Sequence, residues 1–341
     1  MYSFRNDYSE GAHPKIMQAL AETNLRQTCG YGLDPVCQEA AALIRKLCQA
    51  PDADVHFLTG GTQTNLLAAE ALLRPYEAVI SAGTGHVNVH ETGAIEATGH
   101  KVCTVPTSDG RLTPALIEPL LAAHSTEHMV APRLVYVSNT TELGTIYNRA
   151  DLEALSQFCR QKGLLLYLDG ARLGAAMDAS DLALPDLPRL TDAFSIGGTK
   201  NGALFGEALV FSRPRPDFRW FMKRRGAMLA KGRLLGLQFQ ALLEDGLYGE
   251  LARHANRQAL RLRDGLKALG LPAASDSPTN QQFFILPNPL MEQLAGRGWE
   301  FETDHPVDPS HTCVRFVTSW ATPPDAVDAF LQEVRTLIQP S

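Results

Sequence analysis

Seven short apolar runs recur along the first two thirds of the chain. Several of them, such as "LLLYL" at 164–168, are apolar at consecutive positions, so both faces of the segment are hydrophobic. This pattern is typical of β-strands that are covered on both sides of a sheet. The sequence therefore predicts strands at 55–59, 78–82, 101–105, 133–138, 164–168, 193–197 and 208–212.

Helix-like stretches separate most of these strands, at 35–49, 62–74, 113–123 and 150–162. Alternation of strand and helix predicts an α/β fold with a mostly parallel, seven-stranded sheet. The last two predicted strands are too close together for a helical crossover, so we expect them to be antiparallel neighbours.

The pattern changes after Asp245. A long amphipathic helix at about 249–269 precedes "QQFFILP", a helix near 289–296, "CVRFVTS" and a final helix near 323–338. This order of elements is typical of a small α+β domain. We therefore assign residues 1–245, with the N-terminal segment, to a large α/β domain and residues 246–341 to a smaller α+β domain.

Composition narrows the classes of function. The 341 residues include 31 basic and 37 acidic side chains, a formal charge of -6 that argues against a general nucleic-acid-binding protein. No apolar run reaches the ~20 residues that span a bilayer, and the first residues lack the pattern of a secretory signal. The six cysteines are scattered, so we expect free thiols in a reducing cytoplasm and no metal site.

Small and ionisable residues follow five of the predicted strands. The segments after these strands contain "GGTQTN", "GTGHVNVHE", "NTTELGT", "DGAR" and "GGTK". Ligands of open α/β sheets bind beyond the carboxyl ends of the strands. These segments therefore predict one ligand site at one edge of the sheet.

Single members of this set have ordinary explanations. Gly60 and Gly61 suit a tight turn between a strand and a helix. Asp169 can cap the next helix or pair with Arg172, and Lys200 can be a surface lysine in a glycine-rich turn. Together they meet the needs of pyridoxal phosphate, which requires a lysine for its aldehyde, an anion site for its phosphate and an acid near its pyridine nitrogen.

Two long motifs, "YLDGARLG" at 167–174 and "IGGTKNGALFGEA" at 196–208, extend this interpretation. They resemble the low-specificity threonine aldolase group of the β-eliminating lyase/threonine aldolase family, which consists of fold-type I pyridoxal phosphate enzymes. The resemblance runs from "YGLDP" at 31–35 to "VRFVTSWAT" at 314–322. It implies pyridoxal phosphate as the cofactor and the fold of that enzyme group.

The resemblance implies cofactor-binding and catalytic roles for residues that match the family's motifs. Lys200 matches the lysine that binds the cofactor's aldehyde, and Asp169 matches the acid at the pyridine nitrogen. Gly61 and Thr62 match the phosphate cradle. His86 matches a catalytic histidine that stacks on the cofactor ring.

It also implies a group of substrate-binding residues. Arg172 and Arg315 match the arginines that hold the substrate carboxylate, with Arg172 also close to the cofactor. Asn6 replaces a serine of this group, and Glu91 completes it. His128 matches a catalytic histidine near the substrate side chain. We expect the choice of substrate to depend on this region, because here "RNDY" and "SNTTELGT" depart from the family's patterns.

The implied activity is the cleavage of β-hydroxy-α-amino acids, with threonine giving glycine and acetaldehyde. Two alternatives remain open: β-elimination on another amino acid, and a non-catalytic protein of the same fold. The resemblance further implies a homodimer or homotetramer with shared active sites. Arg233, in the basic segment 223–233, matches a residue lent to the cofactor phosphate of a neighbouring subunit.

Overall fold

The computed structural model describes residues 2–338. Its strands are β1 (Asp54–Leu58), β2 (Glu77–Ala82), β3 (Val102–Val105), β4 (Ala131–Ser138), β5 (Leu165–Asp169), β6 (Ala193–Gly197), β7 (Glu207–Phe211), β8 (Gln281–Pro287), β9 (Glu302–Asp308) and β10 (His311–Val317). Its helices are α1 (Pro14–Thr23), α2 (Pro35–Leu47), α3 (Gly61–Leu72), α4 (His86–Val89), α5 (Pro114–Ala123), α6 (Arg149–Lys162), α7 (Leu173–Asp178), α8 (Leu187–Leu190), α9 (Phe218–Arg224), α10 (Arg233–Leu243), α11 (Leu247–Ala268), α12 (Asn288–Gly296) and α13 (Pro324–Ile338). No helix within the described range has the length and apolarity needed to cross a membrane.

The first seven strands form one sheet in the order β1-β7-β6-β5-β4-β2-β3. Strands β2 to β6 pair in parallel, whereas β7 is antiparallel to both β6 and β1. The prediction of a mostly parallel, seven-stranded sheet with an antiparallel last pair is confirmed. Because β7 is reversed, its first residue, Glu207, pairs with Gly197 at the end of β6 and Leu58 at the end of β1.

Both faces of this sheet are buried, as the consecutive apolar residues of its strands predict. Neighbouring residues along a strand belong to different cores. Val79 and Leu134 pack with residues of α3 and α9 on one face. Ile80 and Val135 pack with residues of α2, α6 and α10 on the other face. A one-residue change of register would exchange these two cores, so the pairing of the strands is strongly specified.

The smaller unit is a three-stranded antiparallel sheet in the order β8-β10-β9, covered by α11, α12 and α13. The predicted helices and the strands β8 and β10 are present. Strand β9 is missing from the prediction because its sequence, "ETDHPVD", is charged and largely exposed, so it lacks the alternation that identifies a half-buried strand.

The N-terminal segment contacts both units of the structure. Phe4 is fully buried in the core of the small unit, where it stacks near Trp299 and Phe330. The backbone of Phe4 donates to the Glu300 carbonyl at 2.8 Å and accepts from Val317 N–H at 2.7 Å. Phe4 therefore packs with the small unit, whereas Ile16 of α1 lies in a core of the large sheet. The division into residues 1–245 and 246–341 stays a prediction.

Candidate active site

A cavity of about 480 Å³ opens at the edge of the sheet where β5 and β6 end. Loops that follow β1, β2, β4, β5 and β6 form most of its wall, and the small unit and the N-terminal segment supply the rest. This is the edge at which the sequence predicts a ligand site. Seven of the residues assigned by the resemblance line the cavity: Gly61, Thr62, His86, Asp169, Arg172, Lys200 and Arg315.

One end of the cavity is built to accept an anion. Helix α3 begins at Gly61, directly after the extended Gly60, so the N–H groups of its first turn have no partner within the helix. A Cβ atom on either glycine would meet no protein atom within 4 Å, which shows that the peptides border open space. Together with the positive end of α3, these donors suit a phosphate.

Lys200 lies in a short turn directly after β6. Gly197, the last residue of β6, lets this turn approach the segment after β5 closely. A Cβ atom at this position would lie only 2.4 Å from the carbonyl oxygen of Ala171. Burial, and next the charge of Arg172, lower the pKa of the Lys200 amine. The lowered pKa makes the neutral, nucleophilic amine more accessible.

The carboxylate of Asp169 is fixed by three donors at the end of β5. Oδ2 accepts from Asn65 Nδ2 at 2.9 Å and from the Tyr136 hydroxyl at 2.7 Å, and Oδ1 accepts from the N–H of Ala171 at 2.9 Å. The alternative in which Asp169 pairs with Arg172 is not realised. The carboxylate is therefore available to a cationic ring nitrogen in the cavity.

Arg172 instead binds Asp7, a residue that the sequence analysis missed. Its Nε and Nη2 donate to the two oxygens of Asp7 at 2.7 and 3.0 Å, and Asn280 adds a third bond at 2.9 Å. Burial acts to raise the pKa of Asp7, but the charges of Arg172 and Lys200 outweigh it and hold that pKa below its ordinary value. The positive charge of Arg172 is thus already balanced by a carboxylate of the same chain.

Asn6 and Arg315 have different relations to the cavity. The side-chain Oδ1 of Asn6 accepts from Tyr8 N–H at 2.9 Å and from the Ser9 hydroxyl at 3.0 Å, so Asn6 caps a turn and does not line the cavity. Arg315 lines the cavity, and its Nε is buried without a hydrogen-bond partner among residues 2–338. Burial, and next the charge of Arg172, lower the pKa of Arg315. Its guanidinium is the better placed of the two arginines to receive a carboxylate.

His86 is oriented by a buried hydrogen-bond network. Its Nδ1 lies 2.7 Å from Oε1 of Glu91, which also accepts from Asn65 Nδ2 at 2.7 Å. The Tyr167 hydroxyl donates to Asn65 Oδ1 at 2.8 Å, so the amide nitrogen of Asn65 faces both Glu91 and Asp169. Glu91 does not line the cavity. Glu91 therefore orients the His86 ring, and its role in binding the substrate stays a prediction.

His128 and Arg233 do not reach the cavity of their own chain. His128 is exposed in the loop before β4, whereas the cavity lies beyond the other end of this strand, roughly 23 Å away at ~3.3 Å per residue. Arg233 is buried and donates to the Thr23 hydroxyl at 3.0 Å and to the Asn24 carbonyl at 3.5 Å. The role of Arg233 at the phosphate of a neighbouring subunit stays a prediction, and within its own chain the guanidinium holds the end of α1.

Two glutamates that the resemblance does not assign also line the cavity: Glu142 in the loop after β4 and Glu207 at the start of β7. Burial raises the pKa of Glu142 and raises that of Glu207 well above its ordinary value, and the charge of Asp169 adds to both shifts. Sequence reasoning could have found Glu142 in the segment "NTTELGT", which follows a predicted strand. It could have found Glu207 from the predicted reversal of the last strand, because this reversal brings the start of that strand to the same edge of the sheet.

A separate cluster lies where β9 pairs irregularly with β10. Asp304, His305 and Cys313 offer three possible metal-ligand atoms within 4.8 Å of one another. The Asp304 carboxylate and the His305 imidazole already bind each other at 3.0 Å, and both residues are exposed. None of the three lines the cavity, so this cluster is not part of the candidate site.

Comparison with known proteins identifies similar sequences and structures. The family model of the beta-eliminating lyases matches residues 3–289 of this chain. A low specificity L-threonine aldolase of Pseudomonas aeruginosa is 32% identical over 98% of this chain and 97% of its own length. The structure of a Leishmania major threonine aldolase is 48% identical with a TM-score of 0.98, and the match covers 99% of this chain and 100% of that one. An aspartate aminotransferase of Thermus thermophilus shares the fold, with a TM-score of 0.71 at 16% identity over 99% of this chain and 91% of its own.

Proposed function

The chain belongs to the beta-eliminating lyase family, and from this premise we propose that it is an aldolase that cleaves β-hydroxy-α-amino acids, such as threonine, into glycine and an aldehyde. It is a lyase with the fold of the type I enzymes, and pyridoxal phosphate is its cofactor, as the resemblance implied. The observation that supports the proposal most directly is the meeting of Lys200, Asp169 and the glycine cradle in one cavity.

The residues of the cavity fit this cofactor. Lys200 would hold its aldehyde, Gly61 and Thr62 its phosphate, and Asp169 its pyridine nitrogen, while His86 would lie against its ring. When bound, the cofactor supplies an electron sink for the pair of electrons left on Cα when a bond to this carbon breaks. The lowered pKa of Lys200 favours the neutral amine, and only the neutral amine can bind an aldehyde.

We propose that Arg315 holds the carboxylate of the amino acid, with Arg172 as a neighbouring charge fixed by Asp7. A guanidinium binds a carboxylate through two parallel hydrogen bonds, which fixes both position and direction. Anchoring the carboxylate decides which bond at Cα stands across the plane of the cofactor ring. This orientation favours cleavage of Cα–Cβ over removal of the α-proton.

We further propose that the active unit contains at least two copies of the chain. Exposed apolar side chains, including Leu25 at 92% and Trp220 at 79% exposure, support a protein-protein contact. In the basic segment 223–233, Arg224 and Arg225 bind Glu70 of their own chain, whereas Lys231 is exposed and has no ion pair among residues 2–338. We therefore propose Lys231, beside Arg233, as a residue that reaches the cavity of a neighbouring copy. His128 could likewise serve only the cavity of another copy.

A reducing cytoplasm remains our proposal for the setting of the protein. All six cysteines are free, and five of them are buried. Burial raises the pKa of three of these thiols, in Cys37, Cys48 and Cys159, to about 12, which keeps them protonated and unreactive. Thiol counts of the native and of the unfolded protein test whether the six cysteines are free and whether five of them are protected by burial.

The deciding experiment compares products. Purified protein loaded with pyridoxal phosphate should release aldehyde and glycine from threonine, allo-threonine and phenylserine. Faster formation of pyruvate and ammonia from serine or cysteine would replace the aldolase by a β-eliminating lyase. A protein that binds the cofactor and forms neither set of products would be non-catalytic.

A further inference from the structure

Glu142 presents one carboxylate oxygen to the cavity and has the other oxygen fixed. Oε1 accepts from the Ser138 hydroxyl and from the backbone N–H of His86, both at 3.0 Å. Oε2 has no hydrogen bond among residues 2–338, and the side chain lines the cavity. A carboxylate held in this way is oriented by its protein partners and keeps one oxygen available to a ligand.

The surroundings of Glu142 raise the pKa of its carboxyl group, which makes the carboxylate a stronger proton acceptor. Burial raises the pKa of Glu142, and the Asp169 carboxylate on β5 acts in the same direction. The hydrogen bond from the backbone N–H of Glu142 itself, the charge of His86 on α4 and the hydrogen bond from Ser138 act against this rise without cancelling it. The other titratable groups whose charge is coupled to that of Glu142 are Tyr136 on β4, Tyr147 before α6 and Arg172 before α7.

Other candidates for this role are occupied or more exposed. Nδ1 of His86 binds Glu91, and this ring is the one expected to lie against the cofactor. His90 is exposed at the end of α4, with its ring centre 5.4 Å from that of His86. Lys200 is reserved for the cofactor's aldehyde. Glu142 is thus a cavity-lining base that is oriented, half-buried and free of another task.

We propose that Glu142 is the base that takes the proton from the β-hydroxyl of the substrate, an inference that rests on the proposed aldolase function. The hydroxyl proton moves to Oε2, and the electrons of the O–H bond form the C=O bond of the leaving aldehyde. The electrons of the Cα–Cβ bond remain on Cα. A proton delivered to Cα completes glycine, and loss of the proton from Glu142 restores its carboxylate.

The substitution Glu142→Gln isolates this role. The amide oxygen of Gln can still accept from Ser138 and from His86 N–H, so only the free oxygen is replaced by a group that takes up no proton. We expect kcat for threonine cleavage to fall by about 10²- to 10⁴-fold, the usual effect of removing one acid–base group. Glu153→Gln, at an exposed position of α6, is the matched control and should keep wild-type activity.

Three readouts separate a base from a merely structural residue. Glu142→Gln should keep its cofactor absorbance, its affinity for glycine in a spectral titration and its exchange of the glycine α-proton with deuterated water, because none of these involves a β-hydroxyl. The acidic limb of the wild-type kcat/KM profile should be absent from the variant, since a base that must be ionised loses activity as pH falls through its pKa. Formate should partly restore cleavage in Glu142→Ala.

The outcomes also separate this inference from the proposed function. A wild-type protein that does not cleave threonine, allo-threonine or phenylserine refutes the function itself. A wild-type protein that cleaves them together with an equally active Glu142→Gln refutes only the role of Glu142. Parallel loss of glycine binding and of α-proton exchange in Glu142→Gln would make Glu142 a structural support and would also overturn the inference.

Discussion

The pair between Asp7 and Arg172 provides a sharp test of how the cavity is held together. Asp7 is 1% exposed, and its two oxygens bind the same guanidinium at 2.7 and 3.0 Å. In Asp7→Asn the side chain keeps its shape but loses its charge, and one oxygen becomes an NH₂ group that faces Arg172. The guanidinium then remains largely enclosed beside Lys200 and Arg315 without the carboxylate that binds it.

Removal of one partner of a buried ion pair costs about 3–5 kcal/mol, because the remaining charge stays in a poorly solvated place. At ~2.1 cal/mol/K per residue, a chain of 341 residues converts this loss into a fall in Tm of roughly 4–7 °C. The matched control is Asp245→Asn. Its partner Lys15 lies at 2.6 Å, but the two side chains are 73% and 38% exposed, so the loss should be only about 0–1 kcal/mol.

Differential scanning calorimetry of cofactor-saturated protein measures both variants under the same conditions. The double variant Asp7→Asn/Arg172→Gln should recover much of the lost stability, because it also removes the uncompensated charge. If Asp7→Asn lowers Tm no more than Asp245→Asn does, the buried pair does not stabilise the fold and this reasoning is refuted. A double variant that is less stable than Asp7→Asn would show that the unpaired guanidinium is not the cause.

Three further substitutions test the proposed roles at the cavity. Lys200→Ala should give folded protein without the visible absorbance of a lysine-bound cofactor, and a lysine adduct that borohydride can still trap would contradict the assignment. Asp169→Ala should keep part of its cofactor binding but lose most of its turnover, whereas near-normal turnover would leave Asp169 as a structural cap. Arg315→Lys should raise KM for threonine by roughly 10- to 150-fold, the equivalent of about 1.5–3 kcal/mol for a charge-assisted hydrogen bond, and should leave cofactor affinity unchanged in a spectral titration.

The strands and the edge that carries the site follow from local sequence patterns. A run such as "LLLYL" is apolar at consecutive positions because both faces of the sheet are covered. The burial of such a strand can therefore be recognised from the sequence. Ligands bind beyond the carboxyl ends of parallel strands, and this rule brings Asp169 and Lys200 to one edge of the sheet from their positions in the chain alone. For this reason the cradle, the acid and the lysine could all be predicted.

Residues that depend on long-range contacts could not be predicted in this way. Asp7 and Arg172 are far apart in the chain, and no local pattern links them. His128 shows the opposite case, because a motif match assigns it to the substrate although it precedes β4 and lies at the far end of that strand from the cavity of its own chain. The assignment of Glu142 to the cavity depends on the path of a loop, and that of Glu207 depends on the direction of a strand. Residue type alone reveals neither.

The position of Phe4 has a consequence for how the protein is made. The partners of Phe4, Glu300 and Val317 of β10, are synthesised about 300 residues after it. At ~5–20 residues per second, the interval between Phe4 and Val317 is roughly 15–60 s, during which Phe4 lacks these partners. The large sheet can fold in this interval, whereas Arg315 does not yet exist. Translation therefore delivers the cofactor-binding edge of the sheet before the arginine that completes the substrate pocket.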